Sequence, residues 1–122
     1  MKSTLDRFLQ AYIECALWSS LGDDENPLDA TYDPKDIAPD SIQKMKDDCE
    51  KFLIDNIGLI LKTPLTYTTE QAGHDFWLTR NGHGAGFWDR GLGDIGGKLT
   101  KACHEFKEIN LIVGDDGKLY VE

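Results

Sequence analysis

Between Gly73 and Gly91 the chain reads GHDFWLTRNGHGAGFWDRG, and no other stretch constrains the fold as tightly. Four large aromatics, two histidines, two arginines and two aspartates share it with five glycines. Asn81-Gly82, at its centre, is the strongest two-residue hairpin signal, because both central positions of a type I′ turn need positive φ. The pattern predicts a strand at Asp75–Arg80, a turn, and a return strand from His83 to about Asp89. In that register Arg80 faces His83, Thr79 faces Gly84, Leu78 faces Ala85, Trp77 faces Gly86, Phe76 faces Phe87 and His74 faces Asp89. Large residues then meet small ones across the pair, which accounts for the glycines. Strand alternation puts His74, Phe76, Leu78, Arg80, His83, Ala85, Phe87 and Asp89 on one face, and Asp75, Trp77, Thr79 and Trp88 on the other. Both faces are aromatic in the middle, so one is core and the other is covered or a binding surface.

Around this stretch the periodicity is helical. Residues 4–18 place Leu5, Phe8, Leu9, Tyr12, Ile13, Ala16 and Leu17 on one stripe, with Cys15 and Trp18 at its edges. Ser3 and Asp6 form a weaker version of a capping box. Gly22, Pro27, Pro34 and Pro39 then break the pattern into a long loop, which Leu28, Tyr32 and Ile37 peg to the body. A second helix follows Asp40 and Gln43, a capping-box pair, with Ile42, Met45, Cys49, Phe52, Leu53 and Ile57 on its apolar face. Gly58 weakens it and Pro64 ends it. Residues 63–72 connect, with a short extended piece at Leu65–Thr68. A third helix is expected over about Gly97–Lys107, with Asp94 as cap or first-turn acid. The chain ends in a hairpin turning at Asp116-Gly117, with Asp115 opposite Lys118. The expected fold is α+β: N-terminal helices packed on a small antiparallel sheet made of two hairpins with a helix between them. The helix between the hairpins suggests that the sheet has four strands. A chain of 122 residues supports one core, so residues 1–122 form a single domain.

Charge narrows the functional classes. The net charge is −9, and residues 1–60 carry 6 Lys and Arg against 13 Asp and Glu, a net of −7. Residues 21–40 alone hold Asp23, Asp24, Glu25, Asp29, Asp33, Asp36 and Asp40 against Lys35. Such a field repels nucleic acid and anionic lipid and attracts a basic partner. As a bland alternative, it is an acidic loop that aids solubility. No apolar run approaches a membrane span, and the N-terminus lacks a signal-peptide pattern, so a cytoplasmic protein is expected. Cys15, Cys49 and Cys103 are odd in number, have no C-x-x-C spacing and sit in helical stretches, as buried reduced thiols do.

His74 opposite Asp89 is the sharpest chemical feature in the sequence. Such a pair fixes an imidazole tautomer and supports acid–base work in a hydrolase or phosphoryl-handling site, with Arg80 and His83 contributing substrate contacts. No nucleophile with an adjacent base accompanies it, and structural His–Asp pairs are common. The histidines lack H-x-x-x-H or H-x-H spacing, so neither metal nor cofactor is expected. GLGDIGG (Gly91–Gly97) contains G-x-G-x-x-G, but Asp94 repels phosphate and the context is a helix-entry turn. Trp77 and Trp88, interleaved with Arg80 and Arg90, suit stacking of single-stranded bases, against which the net charge argues. The preferred reading is a binding protein acting by protein–protein contact, through Trp77, Trp88, Arg80, Arg90, Asp23, Asp24 and Glu25. Catalysis through His74 and Asp89, or single-stranded nucleic-acid binding, is the alternative.

AGHDFWLTRNGHGAGFWDRG, with YIECALWSS, PLDATYDPKDIAPDSIQKMKDDCEKF and GDDGKLY, resembles a family of small proteins encoded by tailed bacteriophages. The similarity spans nearly the whole chain. It implies a phage protein acting in the bacterial cytoplasm during infection, and it carries no catalytic role with it. By analogy with other small acidic phage proteins, it suggests occupation of a host or defence protein, including by imitation of nucleic-acid charge.

Overall fold

The first helix, α1 (Thr4–Ser19), begins where the sequence places it. Ser3 Oγ accepts the Asp6 N–H at 3.0 Å, and the Asp6 carboxylate accepts the Ser3 N–H at 3.3 Å, which closes the capping box. This computed structural model describes residues 3–22 and 24–122. After α1 the loop turns through two short 3₁₀ segments, Leu28–Ala30 and Pro34–Asp36. Leu28 and Ile37 are buried and Tyr32 is half-buried, so all three expected pegs hold the loop to the body.

Helix α2 (Pro39–Ile60) starts on proline, whose missing N–H would lack a helical partner at that position anyway. Ala38 is the N-cap and no side chain caps the helix, so the expected Asp40–Gln43 box is not formed. Gln43 instead donates to Asp47 at 2.8 Å, one turn on. Met45, Cys49, Phe52 and Leu53 are buried as the spacing requires and Ile42 is half-buried, but Ile57, expected on the same face, is exposed. Gly58 faces open space and does not interrupt the helix. The residues before Thr68 form a turn rather than an extended piece, with the Tyr67 N–H donating to the Pro64 carbonyl at 2.9 Å.

The expected first hairpin is a helix, α3 (Thr69–Arg80). Thr68 Oγ1 accepts the Gln71 N–H at 3.0 Å to start it. Asn81-Gly82 is its C-terminal cap. The Gly82 N–H donates to Thr79 O at 3.2 Å and the His83 N–H to Leu78 O at 3.0 Å, with Gly82 at φ +68°. These are the two hydrogen bonds of a Schellman motif. The return strand is likewise absent: a loop leads to the 3₁₀ turn Phe87–Asp89. The whole cross-strand register, from Arg80 against His83 to His74 against Asp89, is therefore replaced. Gly86 lies against Thr79 instead of Trp77, and the Thr79 hydroxyl accepts the Phe87 N–H at 3.1 Å.

Helix α4 (Asp94–Cys103) both starts and ends earlier than expected, with Gly93 as N-cap, Asp94 in the first turn and His104 as C-cap. The final hairpin is present as β1 (Leu111–Val113) and β2 (Leu119–Val121), antiparallel with Leu111 against Val121 and Val113 against Leu119. Its turn is one residue longer than expected. Gly114, not Asp115, stands opposite Lys118, donating to its carbonyl at 2.7 Å, and Gly117 takes φ +80°. The fold class is α+β with N-terminal helices, and the sheet described has two strands rather than four. Among the described residues no helix is long and apolar enough to cross a membrane.

Helix α3 lies at the centre, with α1 packed along it. Phe76 stacks on Phe52 at 4.2 Å between ring centroids and on Tyr12 at 5.2 Å, and Tyr12 meets Trp77 edge-on at 5.3 Å. The hairpin is fastened to the start of α2 by two bonds: Ala38 N–H to Leu119 O at 2.8 Å and Val121 N–H to Ser41 Oγ at 3.0 Å. Gly73 is what lets α1 and α3 approach. A Cβ there would overlap the Phe8 carbonyl, which belongs to helix backbone and cannot rotate aside. Gly73→Ala is expected to cost at least about 1–3 kcal/mol through overpacking, read as a lower urea midpoint; an unchanged midpoint would contradict the packing.

Candidate functional site

Two charged residues of the central motif, Asp75 and Arg80, turn inward. Arg80 is 5% exposed and packs against the Phe76–Phe106 ring pair, its guanidinium carbon 5.6 and 5.5 Å from the ring centroids. Nη1 donates to Asp48 Oδ2 at 2.7 Å and to the Tyr12 hydroxyl at 3.0 Å. Nε and Nη2 donate to the Lys107 carbonyl at 3.1 and 2.6 Å. Burial opposes this charge, but Tyr12 and Asp48 overcome that and raise the pKa above the ordinary arginine value. Lys44, at 2.8 Å, supports Asp48 from the surface.

Asp75 is the second such centre and is fully buried. Arg90 donates to it through Nη2 at 2.8 Å and Nε at 3.0 Å. The Tyr67 hydroxyl adds a bond at 2.6 Å and Gln71 Nε2 one at 3.0 Å. A carboxylate removed from water is tolerated when its lone pairs are filled in this way. The arrangement ties the loop after α3 and the turn before it to the helix itself.

The remaining sequence candidates are dispersed. His74 lies on α3, its Nδ1 is buried without a hydrogen-bond partner, and it makes no pair with Asp89. Asp89 and His83 are exposed. The expected His74–Asp89 pair is therefore not assembled, and Arg80 is enclosed away from both. Trp77 is 2% exposed, with its indole N–H donating to Ser19 Oγ at 2.8 Å, so it belongs to the core. Trp88 is 53% exposed. Asp24 and Glu25 are exposed, while Asp23 lies outside the described residues. Asp24 accepts from the Asn26 backbone at 3.1 Å, which lowers its pKa, and Asp33 caps the second 3₁₀ turn through Lys35 N–H at 2.8 Å. Part of the acidic run therefore serves local turn formation. The three thiols are buried and free, and burial pushes Cys15 up to about 12 and raises Cys49 and Cys103 too. Thiols held protonated are poor nucleophiles.

The loop forms a feature absent from the sequence expectations. Folded back on the C-terminal half of α1, it closes a groove of about 590 Å³. Trp18, 56% exposed, forms one wall and packs on the His74 ring at 5.9 Å. Tyr32 lines the groove from the loop, and Glu14, Asp29 and Asp33 bring three carboxylates to it. Among the described residues no lysine or arginine lines it. Asp29 makes no hydrogen bond or ion pair among the described residues. The one available sequence signal was Trp18 at the edge of its helical stripe, because that position is only half covered by the body.

Two outcomes follow from these geometries. Arg80→Met alone leaves Asp48 without its buried partner and is expected to cost about 3–5 kcal/mol, while adding Asp48→Leu restores much of that loss. Equal denaturation midpoints for the single and double variants would contradict the pairing. Burial of the imidazole, only partly offset by Asp75, holds His74 below its ordinary value of 6.5. Its contribution to stability is complete above that value and is lost as pH falls through it toward the lower folded value. His74→Gln should flatten the decline in melting temperature over that window, and an unchanged profile would refute this account. Compared with protein-family models, curated proteins and solved structures, the chain matches none.

Proposed function

We propose that this chain is a binding protein that acts by protein–protein contact on a partner with a basic surface. The observation that supports it most is the partition of charge. Both motif arginines are held by internal aspartates, while Glu14, Asp24, Glu25, Asp29, Asp33 and Asp40 are exposed. A surface of one sign steers an oppositely charged partner toward it. Exposed Trp18, beside those acids, supplies the kind of aromatic anchor that holds an interface after encounter. The resemblance to the tailed-phage family gives this reading a setting: the bacterial cytoplasm during infection, with a host, defence or phage protein as partner. Where that partner itself binds nucleic acid, the acidic surface competes by imitating phosphate charge.

Capture from bacterial lysate on the immobilised chain, followed by kinetics with the purified partner, tests the reading. The on-rate is expected to fall roughly tenfold as salt rises past the point where the Debye length is about 8 Å. Replacing Asp24, Glu25 and Asp29 by Asn, Gln and Asn should slow association without lowering the melting temperature, since exposed charges contribute little to stability. A salt-independent on-rate that the triple replacement leaves unchanged would overturn the electrostatic reading. If the partner binds DNA or RNA, it should release the nucleic acid in competition with this chain.

A further inference from the structure

We propose that the groove between α1 and the following loop is a receptor for an arginine side chain presented by the protein partner. The proposal rests on the binding reading above and gives that reading a site. The groove is in the size range of ligand pockets and is bounded by two unlike surfaces. Trp18 and Tyr32 offer aromatic surface, and Trp18 is held in place by the His74 ring packed against it at 5.9 Å. Opposite in character are Glu14, Asp29 and Asp33, with no lysine or arginine among the described lining residues. An anionic or nucleic-acid guest is repelled by that set, and an aliphatic guest leaves the carboxylates unused.

Arginine fits both surfaces at once. Its planar guanidinium stacks on an indole and offers paired N–H donors to a carboxylate, whereas a lysine ammonium is a compact point charge that retains its water more strongly. Asp29 is the carboxylate best placed to receive it, because it has no partner among the described residues. Gln10 holds one oxygen of Glu14 at 3.2 Å, and the turn at Lys35 holds one oxygen of Asp33 at 2.8 Å. Those two carboxylates are thereby fixed in position. The groove resembles the inward Arg80 site in using aromatic faces and a carboxylate for a guanidinium, here with the guanidinium to be supplied by another chain.

The test titrates the full-length chain with three flexible Gly-Ser peptides of equal length. They carry arginine, lysine or citrulline at the same positions, and spermidine is added as a fourth ligand. Binding is followed by calorimetry and by the NMR signals of the Trp18 indole and the His74 ring. The arginine peptide should shift both signals and bind several-fold more tightly than the lysine peptide, and neutral citrulline should not bind. Trp18→Ala and Asp29→Asn should each weaken the arginine peptide roughly fivefold or more, with melting temperature unchanged, while Trp88→Ala should not. Arginine binding that ignores both variants would overturn the groove assignment yet leave a basic partner in place. Spermidine binding as tightly as the arginine peptide would make the groove a polyamine site and overturn it too. Absence of all peptide binding would overturn the receptor, while salt-dependent association with the captured partner would still stand or fall independently.

Discussion

The buried guanidinium of Arg80 is the point on which the structure turns. It sits at the last position of the central helix, where α3, Tyr12 of α1, Asp48 of α2 and the Lys107 carbonyl beyond α4 all converge. An ionised group buried against Phe76 and Phe106 cannot draw on water, so each of those partners must arrive in register. The demand fixes the orientation of three helices and the path of the segment after α4. Asn81, directly after Arg80, extends it by accepting the Ile109 N–H at 2.9 Å, which sets where the final hairpin begins.

Asp75, five residues earlier on the same helix, imposes a second constraint of opposite sign. It collects Arg90 from the following loop and Tyr67 from the preceding turn, so the irregular chain on both sides of α3 is anchored by charge-assisted bonds. Together the two centres bury Arg80 and pair the half-buried Arg90 with an internal carboxylate. The surface is left acidic, and the long loop, pinned by Leu28 and Ile37, folds its carboxylates beside Trp18. The charge partition and the groove are thus consequences of how the core is tied.

Much of the periphery was legible in the residues. The apolar stripe of α1 and its Ser3–Asp6 box, the apolar face of α2, the three loop pegs, the buried cysteines and the final hairpin each follow from short-range patterns. Where boundaries moved, a local alternative was chemically close. Pro39 begins α2 as readily as Asp40 could cap it, and Gly117 accommodates a three-residue loop as readily as a two-residue one.

The central helix was not legible, for two physical reasons. Amphipathic periodicity arises from one wet face, and α3 has almost none: Ala72, Gly73 and the run from Asp75 to Arg80 are all buried. In addition, Asn-Gly satisfies two backbone geometries. Gly82 at φ +68° serves a Schellman cap as well as a type I′ turn, so the dipeptide fixes a positive φ without fixing what precedes it. The sequence by itself determined the α+β class, the flanking helices, the last hairpin and the excess of acid, because these depend on neighbours a few residues apart. Only the tertiary structure decided that residues 69–80 are helical, that Asp48 and Arg90 are the partners of Arg80 and Asp75, and that Trp18 faces the acidic loop. The two ion pairs join residues 32 and 15 positions apart, and a buried charge is resolved only when the chain has closed around it.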